Sequence, residues 1–302
     1  MSEHDDAREI GRRTFLYELA AIGVGTSMLG ACARAVSVGS ASQSAASAST
    51  NQIGLQLYTV RDLLEKDFEG TLERVSQIGY TNLEFAGYYN RTPEQVRAVL
   101  DRLRLISTSS HIGPQLMRQD AAAQIRSARI IGHDYITIPS YPFARDGGVA
   151  AWKQGAAEFN RWGAMCRDAG LRLAYHNHAP EFAPLEGGPT GYDVLMREVD
   201  PALVDFELDL YWTAFADQDP LALFAKYPGR FAMWHVKDLQ MTEGKKAMAP
   251  VGRGTLDFRT MFAHAREAGM KHFFVEHDNA ATTGGSLASI QASYSSLREL
   301  LK

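Results

Sequence analysis

Cysteine is scarce in this 302-residue chain, which contains only Cys32 and Cys166. Two cysteines do not provide a disulfide framework, so the fold has to be stabilised by its core. Cys166 stands in RWGAMCRDAG, a segment with a helical pattern, and no histidine or basic residue adjoins it at helical spacing. This context predicts a small core residue rather than a nucleophile.

The chain also lacks an excess of charge of one sign. It has 31 Lys+Arg and 35 Asp+Glu, which gives a formal net charge of −4 at pH 7. A nearly neutral, slightly acidic surface has no general attraction for phosphate backbones, which argues against nucleic acid as a partner and against endonuclease activity. With 45% hydrophobic and 22% charged residues, the composition is globular and allows a substantial core.

Near the N-terminus the apolar run is short. The stretch LAAIGVGTSMLGAC at residues 19–32 is too short and too rich in glycine to span a bilayer permanently. It follows Arg12 and Arg13 in GRRTFL. This combination resembles a twin-arginine export signal, in which the arginine pair is the address that the translocase reads. We therefore expect residues 1–35 to be an export signal and the protein to be periplasmic.

The end of this signal has two interpretations. The sequence LGAC, ending at Cys32, matches the lipobox of bacterial lipoproteins, in which the cysteine is acylated and attaches the protein to the membrane. The alternative is ordinary cleavage after Ala33-Arg34-Ala35, which fits the small-x-small preference. In either case residues 36–50 are a flexible Ser/Ala-rich linker.

From residue 51 to residue 302 the sequence alternates short apolar runs, loops and amphipathic helices. This alternation is typical of parallel strands joined by crossover helices. Strands are predicted near residues 52–58, 80–86, 105–111, 134–138, 171–177, 203–209, 231–236 and 272–277. Eight strands in about 250 residues predict one α/β domain, a (β/α)8 TIM barrel. A doubly wound open sheet is the alternative, but no G-x-G-x-x-G follows the first strand.

Four of the apolar runs in the second half end on residues that can hold a metal. They are LAYHNHAPEF, FELDLYW, AMWHVKD and FFVEHD, which place His176, His178 or Glu181, then Asp209, His235 and Glu276, at the ends of successive strands. In such barrels the chemistry lies at the carboxyl ends of the strands. Carboxylate oxygens with imidazole nitrogens suit Mn²⁺, Co²⁺, Mg²⁺ or Zn²⁺ and argue against copper or an iron–sulfur cluster.

These motifs also support a family resemblance. HNHxxEF, LDxYW, HVKD, VGxGxxDF and the VE of FFVEHD make residues 52–302 similar to the xylose-isomerase-like superfamily of sugar isomerases and epimerases. The resemblance implies a TIM barrel, a divalent metal ion and a small sugar substrate. Matched residue by residue, it implies that Asp209, His235 and Glu276 are metal ligands.

Strand five departs from the family pattern. Related epimerases have a glutamate at its end, whereas the residue in register here is His176. Two alternatives remain for the fourth ligand: Glu181, which we favour slightly, or a histidine, His176 or His178. The resemblance implies two glutamate bases on opposite faces of the sugar, so this departure makes symmetric epimerisation less secure. The available bases are Glu276, His176 and His178.

Other strand ends supply candidates for substrate contacts. Lys237 is placed to stabilise an enediolate oxygen, or alternatively to form a salt bridge with Asp238 or Glu276. The candidate substrate-binding residues are Glu84, His111, Trp212 and Arg253. Trp212 is equally well explained as a core residue. Apart from Arg253, the late strand ends show no Gly-rich phosphate cradle or arginine pair, which favours an unphosphorylated sugar or keto-sugar.

Three functions fit these features. The first is a metal-dependent sugar isomerase or epimerase that removes a proton next to a metal-polarised carbonyl. The second uses the same site for elimination or hydrolysis, as a 3-keto-glycoside lyase, hydratase or hydrolase. The third, of a different class, is a non-catalytic, lipid-anchored sugar-binding protein, which the presence of all three matched ligands disfavours. The sequence leaves the sugar, the native metal and the oligomeric state open.

Overall fold

The structure, a computed structural model, describes residues 53–143, 147–186 and 188–302. The export signal predicted at residues 1–35, the lipobox cysteine Cys32 and the linker at residues 36–50 lie outside this part of the chain. Within the described ranges, no helix combines the length and the apolar character that a membrane crossing needs.

Eight parallel strands close into a barrel. In order around the ring they are β1 (Gly54–Gln56), β2 (Asn82–Phe85), β3 (Ile106–His111), β4 (Tyr135–Ile138), β5 (Arg172–His176), β6 (Val204–Asp209), β7 (Met233–Val236) and β10 (His272–Val275). β10 pairs with β1, so the ring has no free edge. Each of the eight predicted strand segments contains one observed strand, and the predicted single-domain (β/α)8 barrel is confirmed.

Helices fill the connections between the strands. They are α1 (Arg61–Leu64), α2 (Phe68–Ile78), α3 (Pro93–Leu103), α4 (Pro114–Ile131), α5 (Gly148–Asp168), α6 (Gly191–Glu198), α7 (Leu210–Phe215), α8 (Pro220–Lys226), α9 (Phe258–Ala263), α10 (Ala265–Ala268) and α11 (Ser286–Leu300). Short 3-10 turns occupy Leu57–Val60, Pro180–Phe182 and Ala280–Thr282.

Local signals in the sequence explain where several helices begin and end. α3 begins with Pro93 behind a capping box, in which Thr92 accepts a hydrogen bond from the backbone of Gln95 and the Gln95 side chain accepts one from Thr92. α4 ends at Gly132, whose φ of 91° is a left-handed conformation that only glycine adopts without strain. These ends return the chain to the bottom of the barrel at the start of each strand.

Strand alternation separates the helix-facing layer from the barrel interior. Tyr175 faces outward and stacks on Phe159 of α5, with their ring centroids 5.1 Å apart. The next residue, His176, faces inward, where its Nε2 lies 3.2 Å from Asp209 of β6. Cys166 is fully buried in α5, and burial raises the pKa of its thiol to about 12, so the interpretation as a core residue is confirmed. The period of two thus directs polar side chains into the barrel at its carboxyl end.

A two-stranded hairpin, β8 (Asp238–Thr242) with β9 (Lys245–Ala249), follows β7 at this end of the barrel. Asp238 fixes the loop that comes after it, because its carboxylate accepts backbone hydrogen bonds from Gly252, Gly254 and Leu256 at 2.8–3.1 Å. The hairpin also packs Leu239 and Met248 against Tyr211 beside the mouth. The repeating pattern of strand and helix did not predict this insertion.

Candidate active site

A cavity of about 460 Å³ opens at the carboxyl ends of the strands. Volumes of this size suit small-molecule ligands. Its walls come from many different strand ends and include Tyr58, His111, His176, His178, Lys237, Glu276, Asp278 and Asn279. Among the lining residues that the structure describes, Lys237 is the only lysine and there is no arginine.

At the foot of this cavity, four side chains from consecutive barrel strands converge. His176, Asp209, His235 and Glu276 each offer one ligand atom, and these atoms all lie within 4.8 Å of one another. Glu276 Oε2 lies 2.9 Å from His235 Nδ1. All four residues are buried. Three are the residues that the sequence predicted as ligands on strands six, seven and eight, and the fourth is the strand-five histidine.

Lys237 adds a cation to the cluster. Its Nζ lies 2.9 Å from Asp209, 2.5 Å from Glu276 and 2.8 Å from Asp278. Burial opposes charge on Lys237, Asp209 and Glu276, but the attraction between these opposite charges prevails. It holds the pKa of Lys237 well above its usual value and the pKa values of Asp209 and Glu276 well below theirs. Of the two salt-bridge partners predicted for Lys237, Glu276 is therefore present, and Asp278 takes the place of Asp238.

A second buried group lies against the other side of the His235 ring. His235 Nε2 is 2.7 Å from Glu84 Oε2 and 3.2 Å from Glu207 Oε2. His111 Nε2 contacts the same two carboxylates, at 3.4 Å and 2.9 Å. These four residues also have ligand atoms within 4.8 Å of one another. His235 is thus shared by two polar clusters.

Glu207 was not among the residues predicted from the sequence. The signal was available, because Glu207 stands two residues before Asp209 in FELDLYW and successive inward positions on a strand are two residues apart. It is fully buried and in register with His176. Burial opposes its charge, but His235 and His111 lower its pKa below the usual range.

For the strand-five position, the structure brings His176 into the cluster and not Glu181. The Glu181 side chain is buried outside the barrel interior, where it accepts a hydrogen bond of 2.8 Å from the hydroxyl of Tyr175. Tyr175 packs against the surrounding helices, so this carboxylate lies on the opposite side of the strand from Asp209. The slight preference for Glu181 as the fourth ligand is corrected on this ground.

The predicted substrate-binding residues divide between the cavity and its surroundings. His111 lines the cavity, whereas Glu84 is fully buried and bonded to Gln56 and His235, so it lies beneath the site rather than on its wall. Trp212 stands beside the cavity, its ring 5.5 Å from that of His178 and 5.9 Å from Lys237 Nζ. Arg253 is exposed in the loop after the hairpin and is absent from the lining.

Two further wall residues carry ionisable groups. His178, predicted as a base, lines the cavity, and burial together with the neighbouring His176 lowers its pKa to about 3. Asp278, which the sequence did not single out, bonds to Lys237, and burial together with Glu276 raises its pKa to about 6. The cavity therefore presents several proton donors and acceptors around one cationic centre.

The cluster that contains Asp209 and Glu276 fits a divalent cation, because of the chemistry of its donor atoms. Two carboxylates and two imidazoles form a mixed oxygen and nitrogen set that first-row divalent ions accept. The ammonium group of Lys237 already lies against Asp209 and Glu276, which shows that these carboxylates accommodate positive charge between them. His176, Asp209, His235 and Glu276 are thus a candidate metal-ligand set.

Comparison with known proteins agrees with this architecture. Residues 72–300 match the family described as xylose isomerase-like TIM barrel. The chain is similar to an inosose dehydratase of Lacticaseibacillus casei, with 24% identity over 243 residues that cover 68% of this chain and 80% of that protein.

Two solved structures extend the comparison. A sugar phosphate isomerase/epimerase from Parabacteroides distasonis is 26% identical, with a TM-score of 0.71 over 87% of this chain and 99% of that one. An IOLI protein with a bound zinc atom shares the fold at 11% identity, with a TM-score of 0.64 over 83% of this chain and 98% of that one.

Proposed function

Since the chain belongs to the xylose isomerase-like TIM-barrel family, we propose that it is a metal-dependent enzyme that removes a proton next to a carbonyl of an unphosphorylated sugar or keto-polyol. Isomerisation or epimerisation is the leading outcome. The convergence of four ligand-type side chains and Lys237 at the foot of one cavity is the observation that carries this proposal.

The proposed metal ligands are His176, Asp209, His235 and Glu276. A divalent ion held there, Mn²⁺, Co²⁺, Mg²⁺ or Zn²⁺, would act as a Lewis acid that polarises a substrate carbonyl or hydroxyl oxygen. Glu276 contacts His235 and Lys237 through Oε2. We assign Oε1 of the same carboxylate as the atom that takes the proton from carbon.

Other wall residues handle the remaining protons and charge. His178 is the second candidate base and would move a proton between the substrate oxygens. His176, also predicted as a base, has Nδ1 3.1 Å from the Pro139 carbonyl oxygen and Nε2 in the ligand set, so we assign it to the metal. Lys237 lies where negative charge develops on an enediolate oxygen, and its three carboxylate contacts hold the ammonium group in position. His111 lines the opposite wall and is placed to contact a substrate hydroxyl group.

Dehydration is a second candidate, favoured by the similarity to inosose dehydratases. The first step is the same removal of a proton next to the carbonyl. The electron pair left on carbon then forms a double bond while the hydroxyl group on the adjacent carbon leaves, and a proton from a wall residue converts it to water. Asp278, which lines the cavity and whose pKa is raised to about 6 by burial and Glu276, is the donor that we propose for this step.

The substrate is proposed to lack a phosphate group. Among the lining residues that the structure describes, Lys237 is the one lysine, its charge is engaged by three carboxylates, and there is no arginine. Apart from the proposed metal ion, a phosphate dianion would therefore find no unengaged cation among the described wall residues. Tighter binding of a phosphosugar than of its neutral counterpart would contradict this point.

Location in the cell remains a proposal from the sequence. We propose export to the periplasm by the twin-arginine route, with Cys32 as the site of lipid attachment if the lipobox is used. Fractionation of cells that express the chain, with Arg12 and Arg13 both replaced by lysine as the comparison, tests the export step. Equal periplasmic yield from both chains would contradict it.

Solvent deuterium exchange tests the proposed chemistry. The full chain, freed of metal by a chelator and reloaded with each of the four ions, is incubated in D₂O with unphosphorylated keto-sugars and keto-inositols. Isomerisation introduces deuterium beside the carbonyl without other change in mass, whereas dehydration also removes one water. Because a positioned base contributes about 10²- to 10⁴-fold, Glu276→Gln should lower the exchange rate by that factor.

Glu181→Gln is the matched control, because it makes the same chemical change at a buried carboxylate outside the cluster. It should leave the exchange rate within about twofold of the unmodified chain. The proposal fails if the metal-loaded chain exchanges no substrate proton, or if Glu276→Gln exchanges as fast as the unmodified protein. Sugar binding without exchange would identify a non-catalytic binding protein.

A further inference from the structure

Glu84 lies beneath the candidate active site and touches none of the cavity. It is 0% exposed, and its Oε2 accepts hydrogen bonds from Gln56 Nε2 at 2.8 Å and from His235 Nε2 at 2.7 Å. A carboxylate with no exposure is costly to bury and has to be held by specific partners. Its closest partner is one nitrogen of a proposed metal ligand.

The two nitrogens of His235 face different surroundings. Nδ1 lies 2.9 Å from Glu276 and 3.7 Å from Asp209, which are members of the proposed metal-ligand set. Nε2 lies against Glu84 and Glu207, which are not members of that set. An imidazole that binds a metal through one nitrogen keeps its proton on the other, and a carboxylate that accepts this proton fixes the ring.

From these contacts we infer that Glu84 is a positioning residue for the metal centre. It holds the ring proton of His235 on Nε2 and thereby presents the lone pair of Nδ1 to the cation. Glu207 is the second and longer acceptor, and it also accepts a hydrogen bond of 2.9 Å from His111. The inference rests on the proposed function, since it requires a metal ion bound by His235.

The alternative is that Glu84 and its neighbours, which we call the lower group, bind a second cation. Glu84, His111, Glu207 and His235 satisfy the spacing of a ligand set, and Oε1 of both glutamates has no hydrogen-bond partner in the described part of the chain. Ligand atoms bound tetrahedrally at about 2.1 Å stand about 3.4 Å apart. The closest contacts here, 2.7 Å and 2.9 Å, are hydrogen-bond distances, and so is the 2.9 Å between His235 Nδ1 and Glu276 in the proposed metal-ligand set, so distance does not separate the two groups. Access does: His176 and Glu276 of the proposed set line the cavity, whereas His111 is the one member of this group among the described lining residues. We therefore assign the cation to the set that the cavity reaches and proton sharing to Glu84.

Metal binding by the full chain provides the test, with Zn²⁺ as the probe. Metal-free protein is titrated against a chelator of known affinity, and the bound metal per chain is measured by elemental analysis. The unmodified chain should bind one Zn²⁺. Loss of an outer partner of a ligating histidine lowers affinity about 10- to 100-fold, and we expect this loss for Glu84→Gln with one ion still bound.

Two controls separate positioning from a general effect on folding. Glu181→Gln removes the charge of another buried carboxylate and should keep the affinity of the unmodified chain. In the Zn²⁺-loaded protein, a slowly exchanging imidazole N–H signal coupled to Nε2 of His235 should be present and should be lost or shifted in Glu84→Gln only. If Glu84→Gln does not fold, Glu84→Asp should fold and show the intermediate affinity of a carboxylate drawn back from Nε2.

Three results would overturn the inference. One is an affinity of Glu84→Gln within twofold of the unmodified chain. Another is two Zn²⁺ per unmodified chain, one of which is lost in Glu84→Gln and in Glu207→Gln, because the lower group would then itself be a metal site. The third is no bound Zn²⁺ in the unmodified chain, which would also remove the metal from the proposed function. The first two results leave that function intact.

Discussion

Lys237→Met removes a buried cation that touches three carboxylates of the site. The Lys237 side chain is 1% exposed, and its Nζ lies within 2.9 Å of oxygens of Asp209, Glu276 and Asp278. Methionine keeps the length and apolar volume of the stem, so the change is mainly the loss of charge. Removal of one partner from a buried ion pair costs about 3–5 kcal/mol, because the remaining charge stays buried without compensation. We expect a loss of this size in the metal-free protein.

Urea unfolding in the presence of a chelator measures this loss. Lys226→Met is the matched control, since Lys226 also forms an ion pair, with Asp193 at 2.6 Å, but is 54% exposed. An exposed pair contributes about 0–1 kcal/mol, so the control should stay close to the unmodified chain. The two substitutions have the same chemistry and differ in burial.

Zn²⁺ should narrow the difference caused by Lys237→Met. A dication held by Asp209 and Glu276 would compensate two of the three carboxylates that the substitution leaves unpaired, and ligand binding to the folded state adds to its stability. The reasoning is refuted if Lys237→Met and Lys226→Met lose the same free energy of unfolding in the chelator. It is also refuted if added Zn²⁺ stabilises Lys237→Met no more than it stabilises the control.

Two further predictions concern residues outside the cluster. Burial lowers the pKa of His133 to about 4, so its neutral form stabilises the fold above the unfolded pKa of about 6.5, and this stability is lost as the pH falls towards 4. Between pH 7.5 and pH 5, urea unfolding should show the unmodified chain losing about 2 kcal/mol more than His133→Gln, and parallel pH profiles would contradict this assignment. Gly254→Ala would bring a Cβ within 2.3 Å of the Leu239 carbonyl oxygen and 2.4 Å of Asp238, so it should cost about 1–3 kcal/mol in thermal or urea unfolding. Gly188→Ala, which meets no atom within 4 Å, is its control, and equal stability of the two variants would count against the tight loop.

The barrel and the three matched ligand positions were predictable because both depend on short-range regularities. Strand ends after buried apolar runs fix which residues reach the mouth, and Asp209, His235 and Glu276 occupy such ends. Glu181 was harder to place, because it follows the strand by five residues in a loop where alternation no longer fixes direction. Predicting Glu207 required the two-residue alternation of the strand to be followed one step back from Asp209, towards the middle of the strand.

The hairpin at Asp238–Ala249 shows a different limit. Its strands are only five residues each and interrupt the regular alternation of strand and helix, so a search for barrel units passes over them. One local signal was present. Glu243 and Gly244 both have positive φ, at 51° and 76°, and a two-residue loop of this kind with glycine in second place is typical of a tight hairpin.

Histidine at strand five changes the charge balance of the site. With His176 in the ligand set, the proposed dication is matched by the two carboxylates Asp209 and Glu276, and the ammonium of Lys237 is matched by Asp278. A glutamate at the strand-five position would add a further negative charge to this buried group, at a cost that burial makes large.

The same substitution bears on the reaction. Glu276 is the single carboxylate of the proposed ligand set that also lines the cavity, so proton removal from carbon is assigned to one face of the substrate. A base that acts on one face suits isomerisation, in which it returns the proton to the neighbouring carbon on that face, and suits dehydration, in which no proton returns to carbon. Inversion at one carbon needs a second base opposite Glu276. Asp278, the other carboxylate among the described lining residues, contacts the same Lys237 Nζ as Glu276, so it does not oppose Glu276 and the second base would be a histidine. We therefore expect deuterium from solvent to enter with retention rather than inversion, and stereochemical analysis of the exchanged product distinguishes the two.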